Sequence, residues 1–230
     1  MLKYFLSSIL LYVSASLAFG QDEEVVSLQF VSFPISNKSE PIELFLGDEK
    51  TIKVELPTSS LSPVYKVPAM SQWLLGEMKV NEEGEKVFKP FGKAKSAGGT
   101  KQLILVIREG ATYKDGLKMI PLKYDVSNFS RGKYFIMNAT KVDIGVQLGA
   151  TQVALKPNTY KLAKPKESNE VNGHKELFVK VFFRNKDGMK PFYNSKWRLN
   201  DKARNLVFFY HEPHHRRIRT HTIRDYLRQE

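Results

Sequence analysis

Alternation with a period of two dominates the chain from Val25 onward. In Thr51-Ile-Lys-Val-Glu-Leu56, Ile52, Val54 and Leu56 fall on one side and Lys53 and Glu55 on the other, which predicts a half-buried strand. The preceding run Pro41-Ile-Glu-Leu-Phe-Leu-Gly47 joins it through a Gly47-Asp48 turn. Val142, Ile144, Val146 and Leu148 repeat the pattern ahead of Gly149, and Val153 and Leu155 follow, so a second short hairpin is expected. Two segments depart from alternation. Leu103–Ile107 and Leu206–Tyr210 are nearly continuous apolar runs, as central strands covered on both faces require. No window shows helical periodicity bounded by caps. The fold class read from the pattern is all-β.

The two halves present the same order of features at an offset of about 100 residues, the mark of an internal duplication. Leu46-Gly47, Val54-Glu-Leu-Pro57 and Val64-Tyr-Lys-Val67 match Leu148-Gly149, Val153-Ala-Leu155 with Pro157, and Thr159-Tyr-Lys-Leu162. Lys79-Val80 and Lys89-Pro-Phe91 match Lys180-Val181 and Lys190-Pro-Phe192. Leu103–Glu109 faces Leu206–Glu212, and Leu122–Asp125 faces Ile223–Asp225. Shared turn punctuation among hairpins is the competing explanation, because all of them need Gly, Asp and Pro. The expected organisation is two tandem, duplicated β-sandwich units, 21–128 and 129–230, on the scale of Ig-like or transthyretin-like sandwiches. Their boundary falls in the polar stretch Asp125–Gly132, and Lys164–Gly173 reads as a surface loop. Strand exchange between the halves, giving one larger sandwich, is the alternative architecture.

Composition adds an address. Met1–Gly20 has the form of a secretory signal peptide: Lys3, an apolar stretch from Tyr4 to Val13, and small residues at Ala18 and Gly20 before Gln21-Asp-Glu-Glu24. Cleavage after Gly20 is expected, with Ala18 the second choice. No other segment approaches the ~18 apolar residues of a membrane helix, so the mature chain is read as having no transmembrane span. The chain has no cysteine, which excludes a disulfide scaffold, a thiol nucleophile and a thiolate metal site. Export without cysteine points to a bacterial periplasmic or extracellular protein. Three Asn-x-Ser/Thr sequons, at Asn37, Asn128 and Asn138, are near the number chance provides.

His211-Glu212-Pro213-His214-His215 spells H-E-x-x-H, which in zinc hydrolases sets two histidines one helical turn apart with the glutamate as general base. The context contradicts that chemistry. Pro213 inside the motif costs a helix about 3 kcal/mol or more. The motif also follows an apolar strand-like run, and the matching segment of the first half, Arg108–Gly116, is a hairpin connection without histidine. The expectation is a turn between the last two strands, no catalytic residue, no metal ligand and no cofactor, with adventitious binding of Ni²⁺ or Zn²⁺ by His211, His214, His215 and His221 the alternative. Ala97-Gly-Gly-Thr100 reads as a loop rather than a phosphate cradle.

Charge is unevenly spread. The chain holds 36 Lys and Arg against 24 Asp and Glu, yet residues 21–60 hold eight acids and three lysines, leaving a net +16 on residues 61–230. Arg216, Arg217, Arg219, His221 and Arg224 are densest, near the end. They read either as charge guarding an edge strand or as a polyanion site. An exported protein disfavours nucleic acid, so anionic polysaccharide, lipopolysaccharide or membrane head groups come first. Trp73, Trp197 and Tyr193 are candidate sugar-stacking rings, with core packing the alternative.

The combination of Gly132-Lys-Tyr-Phe-Ile-Met-Asn138, Thr140–Gly149 and the ending Leu206–Tyr210, Arg217-Ile-Arg219, Ile223-Arg-Asp225 resembles a group of uncharacterised exported bacterial β-sandwich proteins. The likeness covers most of the mature chain. It implies export and a β-sandwich fold, and it transfers no site residue. The functional expectation is a non-enzymatic structural or interaction module of the bacterial envelope whose partner is an unknown envelope protein or an anionic polysaccharide. The alternatives are a polysaccharide- or polyanion-binding module using the basic second half, and a hydrolase of unrecognised type.

Overall fold

The computed structural model describes residues 24–33, 41–110, 112–125, 127, 129–166, 169–171, 174–211 and 217–226. The expected leader, Met1–Gly20, lies outside them. Among the described residues of the first half there are eight strands: β1 (Val25–Phe33), β2 (Ile42–Gly47), β3 (Lys50–Val54), β4 (Tyr65–Pro68), β5 (Gln72–Val80), β6 (Lys86–Lys95), β7 (Lys101–Arg108) and β8 (Leu117–Lys123). Those of the second half form nine: β9 (Tyr134–Asn138), β10 (Ile144–Leu148), β11 (Thr151–Leu155), β12 (Thr159–Ala163), β13 (Asn169–Val171), β14 (His174–Asn185), β15 (Gly188–Arg198), β16 (Ala203–His211) and β17 (Ile218–Tyr226). Among the described residues the one helical segment is a 3-10 turn, Tyr113–Asp115, so the protein is all-β as its periodicity indicates. Among the described residues no helix is long and apolar enough to cross a membrane.

The strands form four sheets, and no described pairing joins a strand of one half to a strand of the other. The first half has an inner sheet β4-β1-β7-β8 and an outer sheet β3-β2-β5-β6. In the second half the inner sheet runs β12-β9-β16-β17, and the outer sheet runs β11-β10-β14-β15 with β13 folded back on the start of β14. The order is the same in both halves, apart from β13, and so is the sense of pairing. In each inner sheet the first strand runs parallel to the penultimate one, β1 with β7 and β9 with β16. β13 departs from the expectation of a plain loop over 164–173. Its backbone pairs with β14, a source of order that polar composition conceals.

Three apolar cores order the sheets into four layers. Phe30, Leu44, Trp73 and Ile104 belong to the core between the two sheets of the first half. Ile136, Val146, Val179 and Phe209 do the same in the second. A third core joins the inner sheets to each other through Val31, Phe33, Leu103 and Leu105 on one side and Phe135, Met137, Leu206 and Phe208 on the other. Successive residues of β7 and β16 therefore point into different cores. Double coverage explains why both strands read as unbroken apolar runs.

Local devices recur at matching places. The β5–β6 ladder slips between Leu75 and Gly76, and the β14–β15 ladder between Val181 and Phe182. Pro90 and Pro191 stand at these bulges, where a missing N–H is tolerated, and the following Phe91 and Phe192 pack on their own cores. Ser32 and Asn138, one register step beyond Val31 and Met137, are both fully buried. Ser32 donates to the Leu56 carbonyl (2.9 Å) and Asn138 to the Leu155 carbonyl (3.2 Å), each tying its first strand to the end of the third. That burial removes the Asn138 sequon from solvent.

Not all of the sequence matches are in register. Gly76 and Phe182 hold the same place beside a bulge, so Lys79-Val80 does not align with Lys180-Val181. Tyr65 faces the first core against Phe30, whereas Tyr160 faces the other side of its sheet against Phe135 (4.9 Å). The spelling coincides and the side chains point opposite ways.

Candidate functional site

The C-terminal hairpin carries most of the residues singled out by sequence. His211 ends β16 and pairs with Ile218, so its backbone is extended and belongs to a hairpin. Glu212, Pro213, His214, His215 and Arg216 lie outside the described residues. Arg217 and Arg219 are exposed. Alternation along β17 turns Arg219, His221, Ile223 and Asp225 toward the other half and turns Arg224 away. Arg224 is also exposed, and its charge is felt by the buried phenol of Tyr134, which burial pushes up to about 12.

His221 is not part of a solvated basic face. Its ring meets Phe33 edge-on at 5.4 Å, in the register position that Ile120 holds in the first half. Burial lowers its pKa, opposed by a hydrogen bond with the Thr58 backbone. The imidazole is therefore neutral at neutral pH. Of the expected polyanion residues on β17, Arg219 and His221 therefore fall on one face and Arg224 on the other.

The charge cluster beside them is structural. Arg204, only 4% exposed, donates through Nε to Asp225 Oδ2 at 2.8 Å and through Nη1 to the Tyr124 carbonyl at 3.1 Å. Its Nη2 also reaches Asp225, and the Tyr124 hydroxyl donates to the same oxygen at 2.7 Å. The guanidinium lies 3.8 Å from the centroid of the Tyr124 ring. Burial drives the Tyr124 phenol far above its ordinary pKa. Tyr124 and Asp225 each stand two residues beyond equivalent seam residues, Leu122 and Ile223, and they meet each other. The halves thus contact through corresponding surfaces, as in an isologous interface. The aromatic rings are also structural. Trp73 is fully buried with Nε1 donating to Gln102 Oε1 (3.0 Å), and Trp197 stacks on Tyr134 and donates to the Tyr193 hydroxyl (2.8 Å).

Two concavities stand out among the described residues. One, of about 420 Å³, is bordered by Arg131, Lys164, Lys166 and Lys175, with Asp201 the one carboxylate among its lining residues. Lys175 pairs with Asp201 at 3.2 Å. Thr151 fixes the approach of the lysine segment: its hydroxyl donates to the Lys164 carbonyl and accepts from the Lys166 N–H. Sequence density pointed to residues 216–224 instead, because these four cations are spread over forty-five positions and converge only through the fold. The second concavity is an apolar cleft of about 430 Å³ at the seam between the inner sheets, floored by Leu103, Leu122, Phe135 and Leu206.

No known protein family matches the chain, and no curated protein is significantly similar to it.

Proposed function

We propose that this chain is an exported, non-catalytic interaction module of the bacterial envelope, made by internal duplication of an Ig-like or transthyretin-like sandwich. Common strand order, matching parallel pairs, matching bulges at Lys-Pro-Phe and the paired positions of Ser32 and Asn138 support duplication. The observation that carries the functional reading is where buried polar chemistry goes. Arg204, Asp225 and Tyr124 tie the two halves together, Asn138 and Thr140 tie a strand end, and Trp73 and Gln102 tie two strands. These groups stiffen a body whose role is to present surfaces. Saturable binding of the purified mature chain to isolated envelope fractions is the expected result. A hydrolytic activity that EDTA abolishes and His211→Ala removes would overturn the reading.

A second reading, binding of an anionic polysaccharide, is favoured by the cationic concavity. Residues 129–230 hold 21 Lys and Arg against 9 Asp and Glu, and four of those cations surround one hollow. The Lys164→Glu, Lys166→Glu variant should elute from immobilised heparin at clearly lower salt than the native chain. Unchanged elution sinks this reading and leaves the first standing.

A further inference from the structure

We propose that the apolar cleft at the seam binds a single-chain amphipathic anion, an alkyl chain ending in a carboxylate. The inner sheets meet through corresponding faces, so the seam has two corresponding ends, and the loops that cover them differ in length. In the first half ten residues, 55–64, separate β3 from β4. This long loop folds over one end, placing Leu61 against the seam core and Thr58 against His221. In the second half only 156–158 separate β11 from β12. The short turn meets β8 where Lys118 Nζ donates to Asn158 Oδ1 at 2.6 Å, and none of its three residues belongs to the seam core as Leu61 does.

The uncovered end is the cleft. Its floor residues Leu103, Leu122 and Leu206 are buried, while Tyr160 and Leu162 on β12 stand at its wall 48% and 43% exposed. Apolar side chains of that size are left half in water where a covering group is missing. About 430 Å³ between two packed units lies within the range of small-ligand sites.

The polar end follows from the groups at the mouth. Lys123 lines the cleft, is exposed and has no ion-pair partner among the described residues. Tyr124 and Arg204, the other polar groups near the floor, are committed to Asp225. An alkyl chain fills the floor and a carboxylate meets Lys123. A peptide strand is disfavoured on the β8 side, because Pro121 lacks the N–H that strand addition requires.

The test is displacement of 8-anilinonaphthalene-1-sulfonate, an aromatic anion whose fluorescence rises in apolar surroundings. The native chain should bind it saturably at one site, with displacement by dodecanoate and at least tenfold weaker displacement by dodecyltrimethylammonium. Leu162→Glu should weaken dodecanoate about tenfold or more. Lys123→Gln should weaken it about threefold to fivefold, the scale of an exposed ion pair, and leave dodecanol unaffected. Both positions are exposed, and unchanged circular dichroism and melting would show that the fold is intact. Dodecanoate binding indifferent to Leu162→Glu overturns the site, and equal displacement by the cationic detergent overturns the anionic end. Neither result bears on the cationic concavity, whose residues are different.

Discussion

Arg204 and Asp225 show how much can rest on one side-chain pair. Both are largely withdrawn from water at the junction of the halves, and each is the other's counter-charge. Asp225→Ala leaves the guanidinium buried and uncompensated, at a cost of about 3–5 kcal/mol in urea unfolding. Arg204→Met combined with Asp225→Leu should recover most of that loss, because removing both charges removes the desolvation problem as well. His221 acts through pH. Its folded pKa lies below the unfolded value of 6.5, so the unfolded chain binds the extra proton first as pH falls. The stability this residue contributes is complete above pH 6.5 and is lost below it. His221→Ile, which copies Ile120, should flatten the melting temperature between pH 7 and 5; an unaltered slope would exclude His221 as the titrating group. None of this was visible in the string Arg219-Thr-His-Thr-Ile-Arg224, because basic character there gives no hint that Phe33 waits opposite the imidazole.

Elements were more legible than residues, where alternation or its absence decides burial. β3, β10 and β11 alternate as expected, and the apolar runs of β7 and β16 reported their two covered faces. Correspondence between strands was harder to read. Lys-Pro-Phe marks the same bulge twice, because proline and an inward phenylalanine serve that geometry. Tyr-Lys recurs by spelling alone, and a three-residue slip reverses which face the ring occupies. Close approach between strands is equally hidden. Gly92 on β6 lies so near β8 that an added Cβ would stand 2.6 Å from the Leu117 carbonyl oxygen. Gly92→Ala should therefore cost about 1–3 kcal/mol by forcing the two edges apart, measured by thermal melting. A neutral outcome would mean that these edges shift freely.

At the scale of the molecule, the seam makes the halves interdependent. Phe208 lies 4.5 Å from Phe33 across it, and both are buried. Phe208→Ala should lower stability by about 3–5 kcal/mol. The native chain should unfold in one cooperative transition with coincident fluorescence and circular dichroism curves, because neither inner sheet is fully covered without the other. Two separated transitions would show that the halves are independent. Four layers could not be foreseen from the pattern: an apolar run reports that two faces are covered and leaves the covering partner unnamed.

Chain order adds a matter of timing. β17 is the last of the described strands, and Ile223 and Asp225 on it help close the seam. A growing chain can assemble the first sandwich once β8 is available, while Val31, Leu103 and Leu105 still face water. That apolar surface stays bare through the synthesis of about a hundred further residues, roughly five to twenty seconds at ordinary elongation rates. During that interval the half-made protein carries a large adhesive face, and two nascent copies could cover each other's inner sheets before the proper partner arrives.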